Sequence, residues 1–112
     1  MGQIQKSGLF KRQLLSFVKN YKDRAGIEIA GQFLASAEAA IAFIADKPLA
    51  CALYLGAKNH EVLKDIEFRK WPLSGFPHSI YFRIEGDNII KLEAIYALRM
   101  DTENKLSAEL ER

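Results

Sequence analysis

Two runs of alternating apolar and polar residues, separated by a short polar segment, constrain the fold of this 112-residue chain more than any other feature. The apolar positions are Ile80, Phe82 and Ile84 in the first run and Ile90, Leu92 and Ala94 in the second, and the positions between them are Tyr81, Arg83, Lys91 and Glu93. A period of two is typical of strands with one buried face. Glu85-Gly86-Asp87-Asn88 separates the runs, and Gly86 can adopt the positive φ that a tight reversal requires. The sequence therefore predicts a β-hairpin with strands over 79–85 and 88–97.

Helical spacing of apolar residues predicts two helices before this hairpin. Ser7 is a suitable N-cap for a first helix over 8–24, and Gly26 marks a break before a second helix over 27–45. The apolar stripes are Phe10, Leu14, Phe17, Val18 and Tyr21 in the first helix and Ile27, Ala30, Leu34, Ala37, Ile41 and Ile44 in the second. Pro48 ends the second helix because proline cannot continue the helical hydrogen bonding.

The remaining segments complete a small α+β domain. Residues 3–5 are a possible short first strand, 65–71 a further strand, and Asp101 a possible cap for a short C-terminal helix. The segment 49–63 is compatible with either a short third helix or a loop. We expect one domain over 1–112, in which a helical hairpin packs on one face of a small antiparallel sheet. The other face is left for water or a partner.

Composition and charge exclude several classes of protein. Hydrophobic residues make up 49% and charged residues 27% of the chain, which is typical of a globular domain and not of a disordered one. The net charge is only +2, but basic residues are concentrated near the N-terminus: Lys6, Lys11, Arg12, Lys19, Lys22 and Arg24. This concentration permits an anionic partner, although a solvated helix face is the plainer interpretation.

Cysteine and histidine usage predicts neither a disulfide, nor a metal site, nor a cofactor. Cys51 is the single cysteine and lies in an apolar segment, so we expect a small buried residue. His60 and His78 are far apart and have no further ligand at metal-binding spacing. No apolar run approaches the roughly 18 residues of a membrane span, and no leader pattern opens the chain, so a cytoplasmic location without membrane contact is expected.

An ordered series of short motifs resembles the RelE/ParE superfamily of bacterial toxins from type II toxin–antitoxin modules, also called plasmid-stabilisation proteins. The matching residues are Phe68-Arg69, Gly75-Phe76-Pro77, Tyr81-Phe82-Arg83, Gly86-Asp87, residues 89–95 and Tyr96-Ala97-Leu98-Arg99-Met100-Asp101. The last motif has Tyr96 where the family usually has histidine, and Met100 precedes Asp101. The Phe-Pro corner is expected to bury Phe76 and to fix the entry into the hairpin.

In the mRNA-cleaving RelE branch, the resemblance implies basic residues that hold a phosphate and move protons on one sheet face. The two lysines of one such group correspond here to Asp65 and Glu67, which would repel a phosphate. Another basic position falls at His78 or Ser79. A C-terminal tyrosine is missing from 101–112. If the chain were a ribosome-dependent endoribonuclease, its catalytic candidates would be Arg99, Arg83 and Tyr96.

In the ParE branch, the resemblance implies a non-enzymatic inhibitor of DNA gyrase that is neutralised by a cognate antitoxin and otherwise arrests growth. The two N-terminal helices, the alanine-rich second helix and the Phe-Pro corner look more like this branch. Its candidate partner-binding residues here are Arg69, Trp71, Arg83, Lys91, Tyr96 and Arg99. A degenerate, non-toxic member is a further alternative, and direct sequence-specific DNA binding is not expected.

Each candidate also has a structural interpretation. Arg99 could close the sheet by pairing with Glu93 or Asp101, and Tyr96 is an ordinary residue for a core edge. Charges such as Arg83 and Lys91 are the default on a solvent-facing strand surface. Trp71 beside Pro72 is typical of packing at a sheet rim, although an exposed tryptophan would serve as a binding anchor.

Overall fold

The computed structural model describes residues 2–54 and 66–97, which form two helices and a five-stranded sheet. In chain order the elements are β1 (Gln3–Lys6), α1 (Gly8–Ala25), α2 (Ile27–Asp46), a 3-10 turn (Pro48–Ala50), β2 (Ala52–Leu53), β3 (Arg69–Pro72), β4 (His78–Glu85) and β5 (Ile89–Ala97). The predicted α+β class is confirmed. The predictions for residues 55–65 and 98–112, including His60, Asp65, Arg99 and the helix after Asp101, lie outside the described residues.

The helix boundaries follow from residues at their ends. The Ser7 hydroxyl accepts a hydrogen bond from the Phe10 N–H at 2.9 Å, which satisfies one of the free amides at the start of α1. Gly26 has φ of 98°, a conformation that glycine adopts without strain, and its N–H donates to the Lys22 carbonyl at 3.2 Å. Both predicted helices therefore end within one residue of their observed bounds.

The sheet is mixed, with strand order β1-β5-β4-β3-β2. β1 runs parallel to β5, with Gln3 opposite Ile89, whereas the three other pairs are antiparallel. The prediction of an antiparallel sheet is thus wrong for one pair. A parallel pair needs a long connection, and here the chain between β1 and β5 passes through both helices and the other three strands before it returns beside β1.

The start of α1 covers the edge of β5 that β1 leaves open. β1 pairs with β5 only as far as Leu92, where the Ser7 N–H donates to the Leu92 carbonyl at 3.0 Å. The Ser7 hydroxyl then donates to the Glu93 carbonyl at 2.7 Å, and the Ile95 N–H donates to Gln13 Oε1 at 2.7 Å. These bonds satisfy backbone groups that an open strand edge would expose.

The main core lies between the helices and one face of the sheet, which we call the helix-facing side. Its fully buried members include Phe10 and Phe33 from the helices and Ile80, Phe82 and Leu92 from the strands. Burial of this apolar surface is the main force that holds helices on a sheet.

The Phe-Pro corner departs from the prediction that it would bury Phe76. The Phe76 ring is only partly buried and meets the edges of Tyr21 and Phe33, with ring centroids 5.2 Å and 5.1 Å away. The corner precedes β4 and packs its ring at the margin of the core, against both helices.

A shift in register divides β5 between the two faces of the sheet. Phe82 pairs with Leu92, but the preceding residue Tyr81 pairs with Ala94, which leaves Glu93 as an extra residue in β5. An extra residue of this kind is a β-bulge. The predicted alternation, with Ala94 on the same face as Leu92, is therefore wrong beyond the bulge.

One helix has the length and composition of a membrane span. α2 contains 20 residues, and its most apolar stretch has a mean hydropathy of 1.5. A segment of this kind was not predicted from the sequence. Its buried residues, among them Phe33, Ala37 and Ile44, pack into the main core. Only 28% of this apolar stretch is buried inside the structure, so α2 packs one stripe of its surface into the core.

Cys51 is buried, as predicted, with only 2% of its surface exposed. Burial raises the pKa of its thiol, and the nearby Arg69 guanidinium partly offsets that effect. The thiol lies 3.8 Å from the Lys47 carbonyl. Cys51 is thus a packing residue, directly before the edge strand β2.

Candidate functional site

The sheet face opposite the helices, which we call the far face, carries a second apolar cluster. Its buried members are Phe68, Tyr81, Ala94 and Tyr96, and Leu9, Tyr54 and Ile66 pack at its margin. Tyr81 is the centre of the cluster, because its ring lies 5.0 Å from that of Tyr54 and 5.7 Å from that of Tyr96. Aromatic pairs at these separations and tilts attract one another.

Tyr96 lies within this cluster and has only 1% of its surface exposed. It reaches the far face because the bulge at Glu93 places Ala94 and Tyr96 beside Tyr81 while Ile95 joins the main core. The prediction of Tyr96 as a partner-binding or catalytic residue is not supported by this burial. The alternative interpretation of Tyr96, as a residue at the edge of a core, agrees with the packing.

Arg83 is engaged by two carboxylates. Its Nη2 lies 2.8 Å from Glu85 Oε1, and its Nε lies 3.2 Å from Glu93 Oε1. Glu93 is 3% exposed, so its charge depends on Arg83 for compensation. The interpretation of Arg83 as a solvated surface charge is therefore wrong, because its side chain is 24% exposed and forms an ion-paired group.

Lys91 is half-buried and lies directly opposite Arg83 in the β4–β5 pairing. Two like charges across a strand pair repel each other, and Glu85 and Glu93 offset that repulsion. Lys91 therefore adds a cation beside the Arg83 group on the far face. Lys70 of β3 adds another near Tyr54, with Nζ 5.8 Å from the ring centroid.

Arg69, at the start of β3, bonds to the residue before β2. Its Nη1 donates to the Cys51 carbonyl at 2.9 Å, and its Nη2 lies 3.2 Å from Glu67 Oε1. The Arg69 side chain is 15% exposed, whereas that of Glu67 is 61% exposed. Arg69 therefore has a structural role in fixing β3 to the residues before β2.

Trp71 belongs to the helix-facing side. Its ring stacks on Phe43 of α2 with centroids 4.1 Å apart and an interplanar angle of 12°. The indole is half-buried and borders a cleft of about 270 Å³ between α2 and β3. The residues that line this cleft are Ser36, Ala39, Ala40, Trp71, Pro72, Leu73 and Ser74. Trp71 thus combines the predicted rim packing with a position beside an open cleft.

The residues that a ribonuclease would need are divided between the faces. His78 packs against Phe17, Phe33 and Tyr21 on the helix-facing side, with a centroid distance of 4.6 Å to Phe17. Arg83 and Tyr96 lie on the far face, and Arg99 lies outside the described residues. Ser79, the other predicted basic position, is neutral and 9% exposed.

Burial in this aromatic setting lowers the pKa of His78 by disfavouring its charged form. A lowered pKa disfavours the imidazolium form that phosphate binding would use. Within residues 2–54 and 66–97, no group of three potential metal ligands comes together.

Sequence reasoning missed the far-face cluster, although a signal for it exists. Tyr81 is an aromatic residue at a position where the alternating strand would place a polar one, and Tyr96 is a second aromatic residue at the end of the second run. Glu93 was assigned to the solvent, because the bulge that buries it leaves no mark in the alternation itself.

Comparisons with known proteins add a structural relation. No protein family model matches the sequence, and no curated protein matches it. Among solved structures, the fold is similar to that of a chain described as "Chromosomal ParDE TA system from P. aeruginosa", with a TM-score of 0.69 and 16% identity. The similarity covers 88% of this chain and 98% of that one.

This chain shares its fold with that ParDE chain. The resemblance that the motifs predicted is confirmed at the level of architecture, with two helices followed by a mixed five-stranded sheet. At 16% identity the similarity establishes the fold and leaves the activity to be argued from the residues.

Proposed function

We propose that this chain is the toxin of a type II toxin–antitoxin module, which acts in the cytoplasm, arrests growth by inhibiting DNA gyrase and is neutralised by a cognate antitoxin. The observation that carries the proposal is the fold shared with a chain of a ParDE system over nearly the whole of both chains. In this proposal the protein acts by binding and is not an enzyme.

The charges on the far face support a binding role over ribonuclease activity. Arg83 is already paired with Glu85 and Glu93, so a phosphate would have to compete with two carboxylates for one guanidinium. Glu67, where the ribonuclease branch has a lysine, is a carboxylate that pairs with Arg69. The pairing of Arg83 lowers the affinity of the far face for a phosphate backbone.

The cleft between α2 and β3 is the surface that we assign to the antitoxin. The small side chains of Ala39 and Ala40 allow close approach of a partner segment, and the stacked Trp71 forms a rigid apolar wall. Apolar anchors beside a rigid aromatic residue are typical of tight, long-lived interfaces.

Growth assays test the proposal directly. Induction of this chain alone should arrest bacterial growth, and co-expression of the antitoxin from the neighbouring reading frame should relieve the arrest. Normal growth at high levels of folded protein would contradict the toxin assignment and favour a degenerate, non-toxic member of the fold.

A matched pair of variants tests the cleft. Ala39→Glu places a charge in the cleft, whereas Ala35→Glu places the same charge at another exposed position of α2, outside the cleft. The first variant should remain toxic but escape neutralisation, and the second should behave like the parent. Equal neutralisation of both variants would show that the antitoxin binds elsewhere.

A further inference from the structure

A second pocket lies between one face of α1 and the first residue of β4. It has a volume of about 230 Å³ and is lined by Phe17, Asn20, Tyr21, Arg24 and His78. The four residues from α1 recur at helical spacing, so they present one continuous strip to the pocket. This pocket is separate from the cleft beside Trp71 and from the charged group around Arg83.

The pocket has an apolar interior and a polar rim. Phe17 and Tyr21 are half-buried and form its walls, whereas Asn20 and Arg24 are exposed at its mouth. His78 is 6% exposed, and its Nδ1 is buried without a hydrogen-bond partner in the described part of the chain. An unsatisfied buried polar atom is uncommon in folded proteins and requires an explanation such as an absent bound group.

The charge of the pocket is that of Arg24. Burial lowers the pKa of His78 and so disfavours its charged form, and none of the described residues that line the pocket is a carboxylate. Arg24 forms no ion pair with any residue in 2–54 or 66–97. At the mouth of the pocket, this guanidinium can pair with an anion whose apolar part is held by the walls.

The ligand class follows from these features. A guanidinium pairs with a carboxylate through two parallel hydrogen bonds, and aromatic walls favour a flat apolar body. Pockets for drug-sized ligands usually begin at about 300 Å³, so this volume suits a ligand with a single ring. We propose that the pocket binds a small aromatic carboxylate, with its ring between Phe17 and Tyr21 and its carboxylate at Arg24 and Asn20.

This proposal does not depend on the toxin assignment, and its test needs no toxicity. Benzoate can be titrated into the full chain, produced by cell-free synthesis, while the amide and imidazole resonances are followed by NMR. Saturable shifts should centre on Asn20, Tyr21 and His78. Shifts that instead follow the exposed lysines of α1 would overturn the proposal, because they would indicate diffuse charge attraction.

Two further probes separate charge from shape. Benzamide has the ring without the charge, and acetate has the charge without the ring. Each should bind at least about tenfold more weakly than benzoate, since each lacks one of the two interactions. Equal binding of benzamide and benzoate would exclude a role for Arg24, and equal binding of acetate would exclude a role for the aromatic walls; either result overturns the proposal.

A matched pair of arginine variants completes the test. Arg24→Gln should weaken benzoate binding about tenfold and abolish the preference over benzamide. Arg12→Gln removes the same charge from the same helix outside the pocket and should leave binding unchanged. If the two variants lost affinity equally, the site would not be this pocket.

Discussion

The two faces of the sheet are both buried at their centres, but they are buried in different ways. The helix-facing side is an apolar core in which Phe82 and Leu92 are completely covered by the helices. The far face combines an aromatic cluster around Tyr81 with the ion-paired group of Arg83 and Glu93. The first face is held mainly by apolar burial, whereas the second also depends on compensated charge.

The bulge in β5 accounts for this difference. By placing one extra residue at Glu93, it turns Ala94 and Tyr96 toward Tyr81 and brings the Glu93 carboxylate within reach of Arg83. A bulge re-aims side chains without interrupting the strand. A single inserted residue in β5 therefore places Ala94 and Tyr96 in the aromatic cluster of the far face.

The largest effect should come from the helix-facing side. Phe82→Ala should lower the free energy of unfolding by about 3–5 kcal/mol, because a fully buried ring leaves both lost burial and a cavity. Urea denaturation measures this loss. Phe76→Ala, at the partly buried corner, should lower the free energy of unfolding clearly less. An equal loss would show that the Phe76 ring is as important to the core as that of Phe82.

The next effect should come from the charged group of the far face. Arg83→Met leaves Glu93 buried without compensation and should cost about 2–4 kcal/mol, somewhat below a fully buried pair because Arg83 is partly exposed. As a comparison, Glu67→Gln removes the exposed carboxylate that pairs with Arg69. It should change the free energy of unfolding by no more than about 0.5 kcal/mol.

The double variant Arg83→Met with Glu93→Leu should recover much of that loss, since no unpaired charge then remains. Urea denaturation of the single and double variants forms a complete cycle. A double variant less stable than Arg83→Met would show that the Glu93 carboxylate stabilises the bulge independently of Arg83.

The next effect should be a pH dependence of stability that arises from His78 on the helix-facing side. Burial lowers the pKa of His78, so below its ordinary value of about 6.5 the unfolded chain binds a proton more readily than the folded chain does. Stability from this residue is therefore complete above about pH 6.5 and is lost as the pH falls through the folded pKa. His78→Phe should lose less stability than the parent between about pH 7.5 and about pH 5.5. Parallel profiles of parent and variant would mean that His78 titrates alike in both states.

The smallest effect should be that of salt on the antitoxin complex. If the antitoxin binds the apolar cleft beside Trp71, raising the salt to about 0.5 M should weaken the complex only modestly, because screening acts on exposed charges and not on apolar burial. Titration calorimetry at two salt concentrations measures this change. Dissociation at high salt would place the antitoxin on the basic residues of α1 instead.

Much of the fold was predictable because it is encoded locally. Ser7 and Gly26 set the helix ends, and the Gly86 turn, with φ of 53°, sets the hairpin. The parallel pairing of β1 was not predictable from pattern, since it depends on how a short strand near the N-terminus meets one 86 residues later. Long-range pairing of this kind is decided by tertiary packing.

The candidate site was predictable only in part. Trp71 was identified as a rim residue, and it lies beside the cleft. The roles of Arg83 and Tyr96 were obscured because a bulge shifts the period by one residue, and alternation cannot show where that shift occurs. The structural role of Arg69 could not be predicted, because its partner is the backbone carbonyl of Cys51, which lies 18 residues earlier in the chain.

The most direct test of the central claim is an assay of cells in which this chain is induced without its antitoxin. We predict an accumulation of trapped gyrase–DNA complexes while ribosome-bound mRNA stays intact, because Arg83, the ribonuclease candidate on the far face, is paired with Glu85 and Glu93. Codon-specific cuts in mRNA, without gyrase complexes, would contradict the account. Loss of those cuts in an Arg83→Gln or Arg99→Ala variant would then establish the ribonuclease.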